Sequence, residues 1–130
     1  MNALWIFLGG GLGSLARWGA SGLIAHTIGE TFPWGTLLVN ISGSFVIGLF
    51  AAVTGPEGRW LVSAPFRQFF MLGICGGYTT FSSFSLQTLN LAQDGQWLKA
   101  GLNCLLSLVL CLLGVWLGYL LGLSWNSGPK

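Results

Sequence analysis

Long apolar stretches alternate with short polar connectors along the chain, and this pattern predicts helices that cross a membrane. A helix needs about 20 apolar residues to span the hydrocarbon core of a bilayer. Stretches of that kind cover residues 3–25, 33–54, 66–92 and 98–123. The connectors are rich in glycine, proline and charge, which is typical of chain that leaves lipid and bonds to water. The pattern therefore predicts an all-α integral membrane protein, with residues 1–130 forming a single domain of four transmembrane helices.

Composition agrees with membrane insertion and excludes several other classes. Hydrophobic residues make up 53% of the chain and charged residues only 6%, which is too little charge to cover a soluble globule. The formal net charge is +2 and the charges are scattered, so no nucleic-acid partner is expected. The three cysteines lack the spacing of a zinc site or a disulfide framework. The first stretch has no basic segment before it and three more stretches after it, so we expect it to remain in the protein.

The positively charged residues give almost no orientation signal. Lysine and arginine normally accumulate in the cytoplasmic loops of a membrane protein. With four spans, Arg59, Arg67 and Lys130 fall on the side of the termini, whereas Arg17 and Lys99 fall toward the other side. This balance leaves two hypotheses open: insertion in one orientation, or insertion in both with antiparallel pairing of two copies.

Small residues recur every four positions in three of the spans, so each set lies on one helix face. The three stripes are Gly9 and Gly13; Ser44 and Gly48; and Gly114, Gly118 and Gly122. Small residues allow helices to approach closely in lipid. The stripes predict close packing either between helices of one protomer or between copies, and the limited space inside four helices favours a dimer.

Polar side chains occur at membrane depth in the second and fourth spans. Asn40 lies near the middle of the second span, on the same helix face as Thr36 and Ser44. A buried amide needs a partner, so Asn40 either bonds to a neighbouring helix or donates into an ion-filled cavity. Ser107 and Asn103 form a second stripe, although a serine hydroxyl also bonds within its own helix.

The charged residues argue against two classes of protein. The acidic residues Glu30, Glu57 and Asp94 all fall in predicted loops, so no carboxylate is available mid-membrane for proton-coupled export. The only histidine, His26, has no nucleophile or acidic partner that spacing supports, so no enzyme is predicted. Arg17 is the only charge in the first span, and it is either a snorkelling anchor or a positive group near a pore mouth.

The third span carries an interruption. Gly76 and Gly77 are adjacent and are followed by hydroxyl side chains, which predicts an unwound turn between Gly76 and Thr80. Broken backbone persists in a membrane only where it is buried in protein or lines a polar site. The carbonyl oxygens of an unwound turn suit a hard cation such as Na⁺. The alternative is a kink that only improves packing.

Two phenylalanines follow the interruption. Phe81 and Phe84 are three residues apart and are neighbours on the resumed helix. The edge of a phenyl ring is positive, so edge-on rings favour an anion. Simple packing of the two rings is the alternative.

Three sequence stretches resemble the signatures of the Fluc/CrcB family of small fluoride channels. They read GGGLGSLARW at 9–18, GTLLVNISGSFVIG at 35–48 and GICGGYTTFSSFS at 73–85. The resemblance implies an antiparallel, dual-topology homodimer in a bacterial inner membrane, with two fluoride pores and a structural Na⁺ at the dimer interface. It also implies passive export of cytoplasmic fluoride, which confers fluoride resistance. The implied partners are fluoride, a second copy of the chain and the lipid bilayer.

The resemblance also implies roles for individual residues. The backbone carbonyls of Gly76 and Thr79 correspond to the Na⁺ ligands of the family. Phe81 and Phe84 correspond to its phenylalanine box, and Asn40 to its pore-facing asparagine. Apart from the resemblance, Arg17 is a candidate residue of the pore vestibule, which is one of the two hypotheses given for it above.

The hydroxyl track of the family is matched only in part. Ser82, Ser83 and Ser107 correspond to track residues along the fluoride path. Gln87 departs from the acidic residue that many relatives carry, and Cys111 offers a thiol in place of a hydroxyl. From the residues alone, two other functions stay open: a small dual-topology transporter of the multidrug type, and a membrane scaffold that transports nothing.

Overall fold

The computed structural model describes residues 2–128, and this part of the chain is helical with no β-strand. The helices are α1 (Asn2–Ile28), α2 (Trp34–Val53), α3 (Ala64–Gln68), α4 (Gly76–Tyr78), α5 (Phe81–Gln93) and α6 (Trp97–Asn126), and a π-helical segment (Phe69–Cys75) joins α3 to α4. The predicted all-α fold is confirmed. Lys130, which entered the orientation argument, lies outside the described residues.

The connections between helices use the expected turn chemistry. Gly29 ends α1 with a φ of 102°, and its N–H donates to the Ala25 carbonyl at 2.9 Å. A glycine adopts this left-handed conformation without the steric penalty of a side chain. Ser63 begins α3 by accepting a hydrogen bond from the Phe66 N–H at 3.3 Å. Both turns therefore follow from local sequence.

The third predicted span is one helical segment, an interruption and a second helix. Residues 64–78 are continuously helical, and the backbone becomes extended at Thr79 and Thr80 before α5 begins. The interruption lies inside the predicted range, but Gly76 keeps helical angles of −64° and −38°. The expectation that the adjacent glycines unwind was wrong in this detail. A Cβ at Gly77 would lie 2.5 Å from the Gly10 carbonyl oxygen, so this glycine serves close packing against α1.

Glycines on α1, α2 and α6 bring backbones together within the protomer. A side chain at Gly13 would collide with the Ile74 carbonyl, and one at Gly118 would collide with the Phe45 carbonyl. A side chain at Gly48 would likewise strike Val115. These members of the predicted stripes therefore pack helices of one chain, which was one of the two hypotheses for them.

The outer surface is strongly apolar. Within the described residues, α2 and α6 are long and apolar enough to cross a membrane, and only 11% of the most apolar window of α6 is buried. α1 exposes Phe7 at 76% and α6 exposes Leu98 at 77%. Such surface suits lipid or a second protein chain. The count of four crossings stays a prediction.

Candidate functional site at the helix break

Asn40 of α2 pairs with the backbone of the interruption through two hydrogen bonds. Its Nδ2 donates to the Thr80 carbonyl at 2.9 Å, and the Thr80 N–H donates to its Oδ1 at 2.8 Å. The Thr80 hydroxyl also accepts from the Ser83 N–H at 3.2 Å, which caps the start of α5. The backbone polar groups of Thr80 are thus satisfied without a helical partner, as a break at membrane depth requires.

Gly76 begins the last helical segment before the break, and Thr79 is the first residue after it. In a continuous helix the Thr80 N–H would donate to the Gly76 carbonyl, but here it donates to Asn40. The Gly76 carbonyl is therefore released from that bond. The Thr79 carbonyl accepts a hydrogen bond from Arg17 Nη1 at 3.3 Å. The Arg17 guanidinium therefore lies at the break.

These carbonyls fit a Na⁺ ion in part. Among the described residues, no group of three or more His, Cys, Asp or Glu side chains could hold a metal, so a cation here would depend on backbone and hydroxyl oxygens. Carbonyl oxygen is a suitable ligand for a hard cation. The Thr79 carbonyl keeps a second lone pair after accepting from Arg17. The positive charge of Arg17 is nevertheless an unfavourable neighbour for a cation.

A groove of about 560 Å³ runs along the break, and we call it the phenylalanine groove. Its lining includes six of the candidate site residues, Asn40, Gly76, Thr79, Phe81, Phe84 and Ser107, and also Cys111. The ring centroids of Phe81 and Phe84 are 5.3 Å apart, with the ring planes tilted by 51°. Phe81 is 79% exposed in the protomer, whereas Phe84 is half-buried. The groove is therefore apolar around a few convergent polar groups, as ligand sites usually are.

A second groove of about 640 Å³ lies on the other side of the break, and we call it the arginine groove. Arg17, Ser83 and Gln87 line it, and Thr80 lines both grooves. Ser83 and Gln87 are four residues apart on α5 and share a helix face. In the described part of the chain, the buried Oε1 of Gln87 has no hydrogen-bond partner. Ser83 is thus separated from the phenylalanines.

Ser82 lies at the exposed start of α5. Its hydroxyl is 3.3 Å from that of Thr80, and it lines neither groove among the residues that the structure describes. The structure accordingly brings Asn40, both phenylalanines and Ser107 together, while it places the other two serines apart from them.

Two polar contacts near the site were not assigned from the sequence. The Tyr78 and Ser42 hydroxyls are 3.0 Å apart beside the break. Asn103 is only 2% exposed, and its Nδ2 donates to the Thr88 hydroxyl at 2.9 Å. The four-residue spacing of Asn103 and Ser107 was the available signal for the second contact, but it did not identify the partner helix.

The apolar helices and the satisfied break define an all-helical membrane protein. A family model described as "CrcB-like protein, Camphor Resistance (CrcB)" matches residues 4–119. The chain belongs to the CrcB family, as the three signatures indicated.

Three curated relatives carry the name "Fluoride-specific ion channel FluC". The protein of Rhodospirillum rubrum is 60% identical over 128 residues, which cover 98% of this chain and 99% of the relative. That of Opitutus terrae is 61% identical over 124 residues, covering 95% and 94%. That of Methylocella silvestris is 53% identical over 126 residues, covering 97% and 96%. The similarity therefore extends over nearly the full length of each protein.

Proposed function

We propose that this chain is the subunit of a fluoride-specific ion channel. The phenylalanine groove carries the proposal, because it brings Asn40, Phe81, Phe84 and Ser107 together beside the break. The names of relatives that match nearly the whole chain supply the ion. The relatives are named as channels, and we assign no enzymatic reaction to this protein.

The groove offers the donors that a small anion needs when it loses water. A primary amide has two N–H donors, and Asn40 uses one of them on Thr80. The other serves an anion in the groove, together with the Ser107 hydroxyl. The positive edges of Phe81 and Phe84 add attraction without a competing acceptor oxygen. A larger anion gains less from donors placed at fixed positions, which is how a close-fitting filter selects.

The channel would work passively as an antiparallel homodimer in the inner membrane of a bacterium. In this arrangement residues 1–130 form one domain with four crossings, and each dimer contains two pores. The exposure of Phe81 supports a second copy, because an exposed ring cannot enclose an ion path by itself. Fluoride would leave the cytoplasm down its electrochemical gradient and so confer resistance.

A structural Na⁺ between the two copies is part of this proposal. The Gly76 carbonyl, released from its helical bond, and the Thr79 carbonyl would hold it, with the same two groups from the partner copy. Bound there, the ion would supply a fixed positive charge that ties the two breaks together. Arg17 fixes the Thr79 carbonyl by its hydrogen bond.

Efflux from liposomes tests the function directly. The purified chain is reconstituted in vesicles loaded with potassium fluoride, and a potassium ionophore is added so that K⁺ leaves with the anion and no membrane potential stops the flux. External fluoride is followed with a selective electrode. We expect rapid fluoride release that needs no proton gradient, and no chloride release from matched chloride-loaded vesicles. Equal release of both anions would contradict selectivity, and no release of fluoride would contradict a channel function.

A further inference from the structure

Asn103 joins the two helices that carry Phe84 and Ser107. Its Nδ2 donates to Thr88 Oγ1 at 2.9 Å, and Thr88 Oγ1 donates to the Phe84 carbonyl at 2.8 Å. Its Oδ1 accepts from the Ser107 hydroxyl at 3.5 Å. Four residues on α5 and α6 therefore form one hydrogen-bonded chain that ends at the phenylalanine groove.

The direction of each hydrogen bond in this chain is fixed. The Thr88 hydroxyl has one hydrogen and gives it to the Phe84 carbonyl, so only a donor can approach its oxygen. The amide nitrogen of Asn103 must therefore face Thr88, which leaves the amide oxygen for Ser107. As a result, the Ser107 hydroxyl points its hydrogen toward Asn103 when no anion is near.

The hydrogen bond from Asn103 to Thr88 is one of the few contacts that hold α5 in place. No residue of α5 is buried, so apolar packing holds this helix only weakly. Polar contacts hold it at two places: Asn40 at its start and Asn103 two turns later. Asn103 is 2% exposed, and a buried amide N–H is costly to leave unpaired, so its short bond to Thr88 is strongly favoured.

We propose that Asn103 is a positioning residue, which sets the Ser107 hydroxyl and the Phe84 turn of α5 beside the ion path. This inference rests on the proposed fluoride function. The bond from Ser107 is long and therefore weak, so the hydroxyl can exchange Asn103 for fluoride at little cost. The bond to Thr88 is short and keeps the phenylalanine turn in place during that exchange.

Two single variants and their combination test the inference. Asn103→Leu removes the amide, and Thr88→Val removes the hydroxyl with little change of shape. Each is expected to lower fluoride efflux about fivefold to tenfold and to raise the fluoride concentration that gives half-maximal efflux, since a positioned hydrogen bond is lost. The double variant should be no worse than the poorer single variant, because both changes break the same contact.

Thr27→Val is the matched control. Thr27 makes the same bond to the carbonyl four residues earlier, at 2.8 Å to Leu23, but it is exposed on α1 and lines neither groove. Its efflux should equal that of the parent protein. Thermal unfolding of all variants in detergent separates loss of positioning from loss of folded protein.

The outcomes separate this inference from the proposed function. Independent, multiplying losses in the double variant would overturn the role of Asn103. An unchanged half-maximal fluoride concentration in Thr88→Val, with only the unfolding temperature lowered, would also overturn it and leave Asn103 purely structural. If the parent protein released no fluoride, the channel function itself would fail.

Discussion

The side-chain amide of Asn40 takes the place of helical backbone at Thr80. Both of its polar atoms engage the Thr80 peptide groups, at 2.9 and 2.8 Å, across 40 positions of sequence. The two hypotheses left by the sequence, a bond between helices and a donor for an ion, are therefore compatible. One N–H group serves the helix break and the other is available to the phenylalanine groove.

Asn40→Asp is expected to abolish fluoride efflux and to destabilise the protein. A carboxylate accepts from the Thr80 N–H but cannot donate to its carbonyl, and an unsatisfied carbonyl costs about 1–3 kcal/mol. The negative charge also repels an anion in the groove. Liposome efflux and thermal unfolding measure the two effects. Asn2→Asp, at the exposed start of α1, is the control, and its efflux and unfolding temperature should equal those of the parent protein. Normal fluoride efflux of Asn40→Asp would leave Asn40 with a structural role only.

Phe81→Ile and Phe84→Ile are expected to lower fluoride efflux several-fold while the protein remains folded. Isoleucine preserves an apolar surface but removes the positive ring edge. Phe81 is 79% exposed in the protomer, so the fold of the protomer depends little on this ring. Phe7→Ile, on the exposed face of α1, provides the control. Parent-like efflux of both groove variants would remove the rings from the mechanism.

Gly118→Ala is expected to destabilise the protein, because a Cβ there collides with the Phe45 carbonyl oxygen of α2. Overpacking of this kind typically costs about 1–3 kcal/mol. Gly101→Ala is the matched control on the same helix, since a Cβ at Gly101 meets nothing within 4 Å. Thermal unfolding in detergent compares them. Equal stability of the two variants would contradict the close approach of α2 and α6.

Replacing Na⁺ by a large organic cation is expected to lower the unfolding temperature without shifting the reversal potential for fluoride. Arg17→Gln should reduce the Na⁺ concentration needed for stabilisation, because it removes a positive charge from the Thr79 carbonyl. Arg17→Lys retains the charge and serves as the control. An unfolding temperature that does not change with Na⁺ concentration in any variant would contradict a cation at the break. A fluoride reversal potential that shifts with a Na⁺ gradient would indicate cotransport.

Helix positions were largely predictable because they follow from the length of apolar stretches. The stretch 33–54 became Trp34–Val53, and the stretch 98–123 became Trp97–Asn126. The π-helical segment Phe69–Cys75 was not predicted, since no local residue pattern requires it. The helical state of Gly76 and Gly77 was also missed, because packing against α1 is a tertiary effect that outweighs local propensity.

The sequence indicated which residue types form the candidate site, but it did not indicate which of these residues contact each other. A polar residue at membrane depth signals that a partner exists, yet neither Thr80 for Asn40 nor Thr88 for Asn103 can be identified without the fold. The separation of Ser83 from Phe84 is different. Adjacent helical residues point about 100° apart, so helix periodicity already contained that information.

The pairing of Asn40 with Thr80 means that the interruption in one helix is encoded in another. Both backbone groups of Thr80 bond to the side chain of Asn40 on α2, and the Thr80 hydroxyl caps α5. Serine or aspartate at position 80 could cap α5 as well, whereas position 40 needs a group that both donates and accepts. The break at Thr80 therefore depends on a residue of another helix. Substitutions near position 80 would preserve the break as long as the amide of Asn40 is retained.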